Sequence, residues 1–261
     1  MIRVGTASWT DPTLLKTGWY PTAAKRGATE RLRYYASVFD TVEVDSSYYA
    51  LPTPEQTARW AEITPPGFVF HVKAYSALTG HGLDARALPK DLKPLLREGE
   101  TEGRLSPTRV PKDLLNEAWH RYLEALRPLQ AASKLGYLHF GLPPWAEPSP
   151  SNRQALKSWR ERTAGHTVAI EFRNRAWYDQ WPDTKALLQE LDFAHVTVDA
   201  PRVPVAPPTV PEPTGPIGVL RCHGRNGDSW SAKGKAASDR FNWDYSDDEI
   251  DELTGLALRI G

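Results

Sequence analysis

Near the ends of six strand-like runs, side chains that carry or move charge recur at two-residue spacing. The pairs are Glu43 and Asp45, His71 and Lys73, His139 and Gly141, Glu171 and Arg173, Thr197 and Asp199, and Arg221 and His223. In a strand, residues two apart share a face. The residues between them, among them Val44, Val72, Phe140, Phe172 and Val198, are apolar. In a parallel barrel one face of each strand meets helices and the other meets the lumen, so the polar parity is expected to point inward. There Glu171, Asp199 or Glu43 would serve as acid or base, and Arg173, Arg221 and Lys73 would bind anions. His223 joins the catalytic candidates, and Asp45 joins the ligand-binding ones. Breaking a buried ion pair costs roughly 3–5 kcal/mol, so such a set must largely satisfy itself. A purely structural ion-pair network filling a barrel is the competing interpretation.

Other chemistries are written less clearly. The stretch "HGRNGDSWSAKGKAASDR" offers His223, Arg225, Lys233, Lys235 and Arg240 among glycines and serines. Barrels often hold phosphate in loops of this kind, where guanidinium forks and backbone N–H groups meet the anion. A phosphorylated or nucleotide-like ligand is the leading expectation. Seven of the ten tryptophans, Trp9, Trp19, Trp145, Trp177, Trp181, Trp230 and Trp243, follow strands. Trp9, Trp177 and Trp230 are candidates for stacking on a sugar or base, although such rings also pin loops to a barrel rim. Glu43, Glu171, Asp199, His71, His139 and His223 could hold a divalent metal, but no tight metal-ligand spacing appears. Nearby carboxylates would keep Lys73 protonated, which disfavours a Schiff base. Cys222 has the opposite parity to His223 and should face a helix.

The elements that must position these residues alternate. Strands are expected at 2–8, 41–47, 67–74, 136–142, 167–173, 194–200 and 217–223, and helices at 29–39, 53–63, 114–133, 151–163, 183–191 and 246–260. Thr53 with Gln56, Ser151 with Gln154, and Ser246 with Glu249 read as capping boxes. Alternation of this kind implies a largely parallel sheet with right-handed crossovers. Seven strands favour a single TIM-like (β/α) barrel domain over residues 1–261, and no glycine-rich dinucleotide fingerprint follows any strand. Residues 201–216, "PRVPVAPPTVPEPTGP", hold seven prolines and cannot be helical. They are expected as an extended strap across the barrel mouth. Residues 84–113 form a second insertion, either a flap, an interaction surface or a passive loop.

Formal net charge is zero over 261 residues, from 32 basic and 32 acidic side chains. That excludes coating nucleic acid or an anionic membrane by bulk electrostatics, while leaving a local basic groove possible. The single cysteine rules out an internal disulfide and fits a reducing compartment. The opening "MIRVGTASWT" lacks the apolar run of a secretion signal and no later segment is long enough to span a bilayer. A cytoplasmic protein without membrane partners is expected; the oligomeric state is left open.

The runs "VGTASWTDPT", "GWYP", "TVEVDSSYYALPTPEQTARWAEITPPGFVFHVKAY", "FGLPPW", "AIEFRNRAWY", "VDAP" and "VLRCHGRN" occur in order along nearly the whole chain. Together they resemble the YecE-like family, catalogued as domain of unknown function 72. The resemblance implies a TIM-like barrel in a bacterial, cytoplasmic protein, and it brings no established reaction, substrate or cofactor. Two departures stand out. Relatives usually continue past the last helix into one more strand, whereas this sequence stops at "LALRIG", so an eighth strand is expected either to be missing, to lie beyond the sequence or to be supplied by a partner. Gly141 stands where relatives often carry glutamine. The expected function is a hydrolase or lyase acting on a phosphate- or sugar-containing small molecule. The alternatives are a nucleic-acid-binding or processing protein and a non-catalytic scaffold.

Overall fold

The computed structural model describes residues 1–100, 102–230 and 241–261. The chain forms two compact units, Arg3–His139 and Phe140–Gly261 with Met1–Ile2. Both are α/β, with parallel strands connected through helices or irregular chain.

In Arg3–His139 the elements are α1 (Pro12–Lys16), α2 (Ala28–Val38), β1 (Thr41–Val44), α3 (Pro54–Ile63), β2 (Val69–Lys73), β3 (Leu83–Asp84), β4 (Arg104–Leu105), α4 (Lys112–Ala131) and the start of β5 (Leu135–Gly141). β1 and β2 pair in parallel from Thr41↔Val69 to Val44↔Val72, and β2 pairs with β5 through Lys73↔His139. The expected first strand, 2–8, is irregular. Glu43 N donates to Thr6 O at 3.0 Å, but Ser8 has left the extended region at φ 133°. Gly5 is required there, since a Cβ would meet the Thr41 carbonyl oxygen at 2.2 Å.

α3 starts as expected: Thr53 Oγ1 accepts from Gln56 N, Gln56 Oε1 accepts from Thr53 N at 3.0 Å, and Pro54 takes the first helical position. Its other end is closed by a residue the sequence reading did not single out. Lys134 is buried, and its Nζ donates to the carbonyls of Ala61 and Thr64 at 2.6 Å each and to Thr64 Oγ1 at 3.0 Å. A cation there completes the carbonyls that a helix C-terminus leaves without partners. Leu32, Tyr35, Phe70, Val72, Tyr122, Leu126 and Leu138 fill the core beneath. The insertion at 84–113 is no bare loop. β3 and β4 pair antiparallel, and Leu83, Leu88, Leu92 and Leu105 are buried.

The second unit contains α5 (Pro150–Arg162), β6 (Val168–Glu171), α6 (Ala176–Asp179), α7 (Trp181–Glu190), β7 (Phe193–Asp199), β8 (Val219–Cys222), α8 (Gly227–Trp230) and α9 (Asp247–Ile260). β6, β7 and β8 pair in parallel in that order. The cap of α5 is Ser149 rather than Ser151, because Pro150 is the better first helical residue and Asn152 N donates to Ser149 Oγ. The Ser246–Glu249 box at α9 forms as expected.

The proline-rich segment is neither helix nor strand. It returns along β7: Val210 O accepts from Thr197 Oγ1 at 3.1 Å, and Thr214 Oγ1 accepts from His195 N at 2.8 Å and donates to Phe193 O at 2.7 Å. It therefore takes the place of the crossover helix between β7 and β8. No described helix is long and apolar enough to cross a membrane.

Two measurements follow from this packing. Burial pushes the pKa values of His71 and His195 from 6.5 down to about 4. Between those values the unfolded chain binds more protons, so stability is complete at neutral pH and is lost as pH falls from about 6.5 towards 4. Each histidine is expected to contribute about 3 kcal/mol to that loss, and urea midpoints measured against pH should show it, with a smaller slope in His195→Gln. Lys134→Met should lower stability by about 1–3 kcal/mol at every pH in that range, because it strands the α3 carbonyls.

Candidate active site

One of the two four-residue strands of the second unit, β6, carries its densest chemistry. β6 is apolar until its last residue, Glu171, which is 1% exposed. A carboxylate so deep needs compensating donors, and three arrive. Arg173 Nε donates to Oε1 at 3.1 Å, Arg221 from β8 pairs with Oε2, and His223 Nε2 lies 3.3 Å from Oε1. The imidazole is thereby assigned with its proton on Nε2. Burial is the main cause that pulls the His223 pKa below its ordinary value, outweighing the opposite pull of Glu171. The rings of Phe241 and Trp230 lie 5.5 and 6.2 Å from that of His223.

Strand register explains how β8 reaches β6 across β7. Ile170 pairs with His195, so Glu171 and Val196 share the next face along. Val198 pairs with Arg221 and lies on that same face. Two valines thus separate the carboxylate from the guanidinium, and they leave room for Arg221 to extend over them.

The same register overturns the expectation for Asp199. It pairs with Cys222 and, with Thr197 and His195, occupies the opposite face of β7 from Glu171. His195 packs on Trp181 of α7 at 4.6 Å, which identifies that face as the helix side. Asp199 is 4% exposed and pairs with Arg225, whose Nε and Nη2 donate to Oδ1 at 3.0 and 2.8 Å, while Tyr245 OH donates to Oδ2 at 2.7 Å. Arg225 also meets Glu249 at 3.2 Å and Glu252 at 2.9 Å on α9. Its guanidinium is thus shared among three carboxylates. Sequence reading missed Tyr245, whose one signal is its place directly before the Ser246 cap. On this side a groove of about 860 Å³ runs between the proline segment and α9, with Asp199, Arg202, Glu252 and Arg259 among its walls.

In Arg3–His139 a second set of the expected residues meets. Glu43 Oε2 lies 3.3 Å from His139 Nδ1, and His71 Nδ1 accepts from Tyr137 N at 3.1 Å. Lys73 Nζ donates to Asp45 at 2.5 Å and sits 4.8 Å above the Tyr48 ring, both contacts of an ammonium ion.

Two of the tryptophan candidates pack in the interior. Trp9 is buried edge-on against Trp60 at 5.4 Å. Trp177 is fully buried, stacked on Phe172 at 4.4 Å, with Nε1 donating to Ala146 O at 2.7 Å. Both rings follow strands because they pin the next segment to the core. Lys233, Lys235 and Arg240 lie outside the described residues. Among the described residues no three His, Cys, Asp or Glu side chains gather as a metal site.

The chain is similar to proteins of one family. The family model described as "Protein of unknown function DUF72" matches residues 3–260. UPF0759 protein YunF of Bacillus subtilis (strain 168) is 29% identical over 234 residues, which span 88% of this chain and 72% of YunF. A crystal structure of a DUF72 family protein from Enterococcus faecalis V583 is similar with a TM-score of 0.75 at 26% identity, covering 99% of this chain and 84% of that one. Another, from Thermotoga maritima MSB8, gives a TM-score of 0.73 at 24% identity, covering 100% of this chain and 89% of that one. The chain belongs to the DUF72 family, also called YecE-like.

Proposed function

We propose that this protein is an enzyme of the hydrolase or lyase type acting on a phosphate-bearing small molecule. His223 is its general base, Glu171 orients that base, and Arg173 and Arg221 hold the anion. The observation that carries this reading is the meeting of two guanidiniums and an imidazole on one buried carboxylate at the C-terminal ends of β6 and β8. Contact with Glu171 keeps the His223 proton on Nε2 and presents Nδ1 as the proton acceptor. A depressed pKa keeps the imidazole neutral, as a base must be, down to more acidic pH. Arg173 engages Glu171 through Nε and its side chain is 36% exposed, so its Nη groups are placed for a phosphate oxygen. Trp230 and Phe241 beside His223 supply ring faces for a sugar or base.

In hydrolysis the base takes a proton from water as it attacks phosphorus and the bond to the leaving alcohol breaks, the alkoxide taking that proton back from the imidazolium; in elimination it takes a proton from the carbon next to the one that bears the phosphate, a C=C bond forms and the C–O bond breaks to release inorganic phosphate. In both, the arginines offset charge that grows on the phosphate. Asp199, fully engaged by Arg225 and Tyr245, takes no proton in this scheme. We read the fold more finely as a TIM-like barrel with residues 2–8 at the position of the first strand. The β/α alternation and the TM-scores support that reading, as does chemistry gathered at C-terminal strand ends. A reducing, cytoplasmic setting is the one we propose, and the single cysteine, which leaves no internal disulfide, supports it.

The test joins phosphate calorimetry to a turnover screen of phosphorylated small molecules. Arg173→Ala and Arg221→Ala should each weaken inorganic phosphate at least tenfold. His223→Asn should leave phosphate affinity within threefold and lower turnover about 10²–10⁴-fold. The acid limb of the wild-type pH–rate profile should fall below the ordinary histidine value of 6.5. Equal phosphate binding by the wild type and both arginine variants would overturn the assignment.

A further inference from the structure

We infer that Asp199 is the positioning residue for His223, fixing the turn His223–Gly224–Arg225 from the far face of β7. The inference rests on the base role proposed for His223, and it gives Asp199 a task that strand parity does not suggest.

Each of the three turn residues is tied to Asp199 in a different way. His223 N donates to the Asp199 carbonyl at 2.8 Å. Gly224 N donates at 2.9 Å to Tyr245 OH, which donates at 2.7 Å to Asp199 Oδ2. Arg225 reaches the carboxylate with its fork, Nε and Nη2 both meeting Oδ1. The turn itself is tight. Gly224 has φ +77°, and a Cβ on it would meet Trp243 Cβ at 2.7 Å. That reversal lets adjacent segments serve opposite faces: His223 looks to Glu171 while Arg225 looks to Asp199.

Tyr245 is held as a donor in this chain, since burial and its bond to Asp199 raise its pKa. Arg225 in turn is braced by Glu249 and Glu252 of α9, so the C-terminal helix is joined to the turn through ion pairs. A base displaced by about 1 Å can lose on the order of 10²-fold in rate, which makes such bracing consequential. The His223 ring is only as well placed as the backbone that carries it.

Nitrogen-15 NMR of the imidazole reads tautomer and titration without a substrate. In the wild type His223 should show more than a tenfold excess of the Nε2–H tautomer. In Asp199→Asn and Tyr245→Phe, with folding checked by circular dichroism, that excess should fall below threefold. Phosphate affinity should stay within threefold in Tyr245→Phe, because the arginines are untouched. Tyr245→Phe removes a single hydroxyl and decides the matter if Asp199→Asn does not fold. A fixed tautomer in the wild type that persists unchanged in the folded variants would overturn the positioning role alone. Mixed tautomers already in the wild type would overturn both this role and the base assignment.

Discussion

One buried carboxylate organises the second unit. Glu171 sits at the end of a four-residue strand with almost no solvent. Left alone there, an ionised group would cost several kcal/mol, and losing any partner would expose the others to that cost. The sequence answers with two arginines and a histidine, and their positions follow from strand spacing. β6 and β8 do not pair with each other; β7 lies between them. With neighbouring strands about 4.8 Å apart, only a long side chain crosses that gap, and only over short neighbours. Arg221 is long, and Val196 and Val198 are short.

The two faces of β7 then divide the labour. One holds the valines under the arginine. The other holds His195, Thr197 and Asp199, each with its own reason to be polar. Thr197 bonds the proline segment, the His195 ring meets the Tyr178 hydroxyl at 3.4 Å, and Asp199 holds Arg225 and Tyr245. An extended proline-rich chain suits that face because it lacks the internal hydrogen bonds of a helix and has carbonyls to spare for the strand. The segment is thus part of how β7 satisfies its polar residues.

These faces also mark where the amino-acid sequence was legible and where it was not. The helix starts at Thr53 and Ser246 could be read directly, because a capping box is a local pattern with local partners. So could the pairing of Glu171 with cations, since a charged pair at the end of an apolar strand must be compensated. Strand parity failed at β7, where both faces are buried and the alternation of polar and apolar residues does not say which face meets helices. The strand expected at 2–8 is irregular, and its backbone turns away at Ser8. Trp9 and Trp177 stay open between two roles in the sequence for a related reason: a ring that follows a strand-like run looks the same whether it greets a ligand or anchors a loop. Tyr245 and Lys134 act through single contacts to distant segments, and no local pattern announces such contacts.

The most direct measurement of the account is a crystal structure of the protein soaked with inorganic phosphate. The account predicts phosphate oxygens within hydrogen-bond distance of Arg173 and Arg221, with His223 still against Glu171 and its Nδ1 turned towards the anion. Phosphate bound elsewhere, with the arginines closed on Glu171 and no density between them and His223, would contradict it.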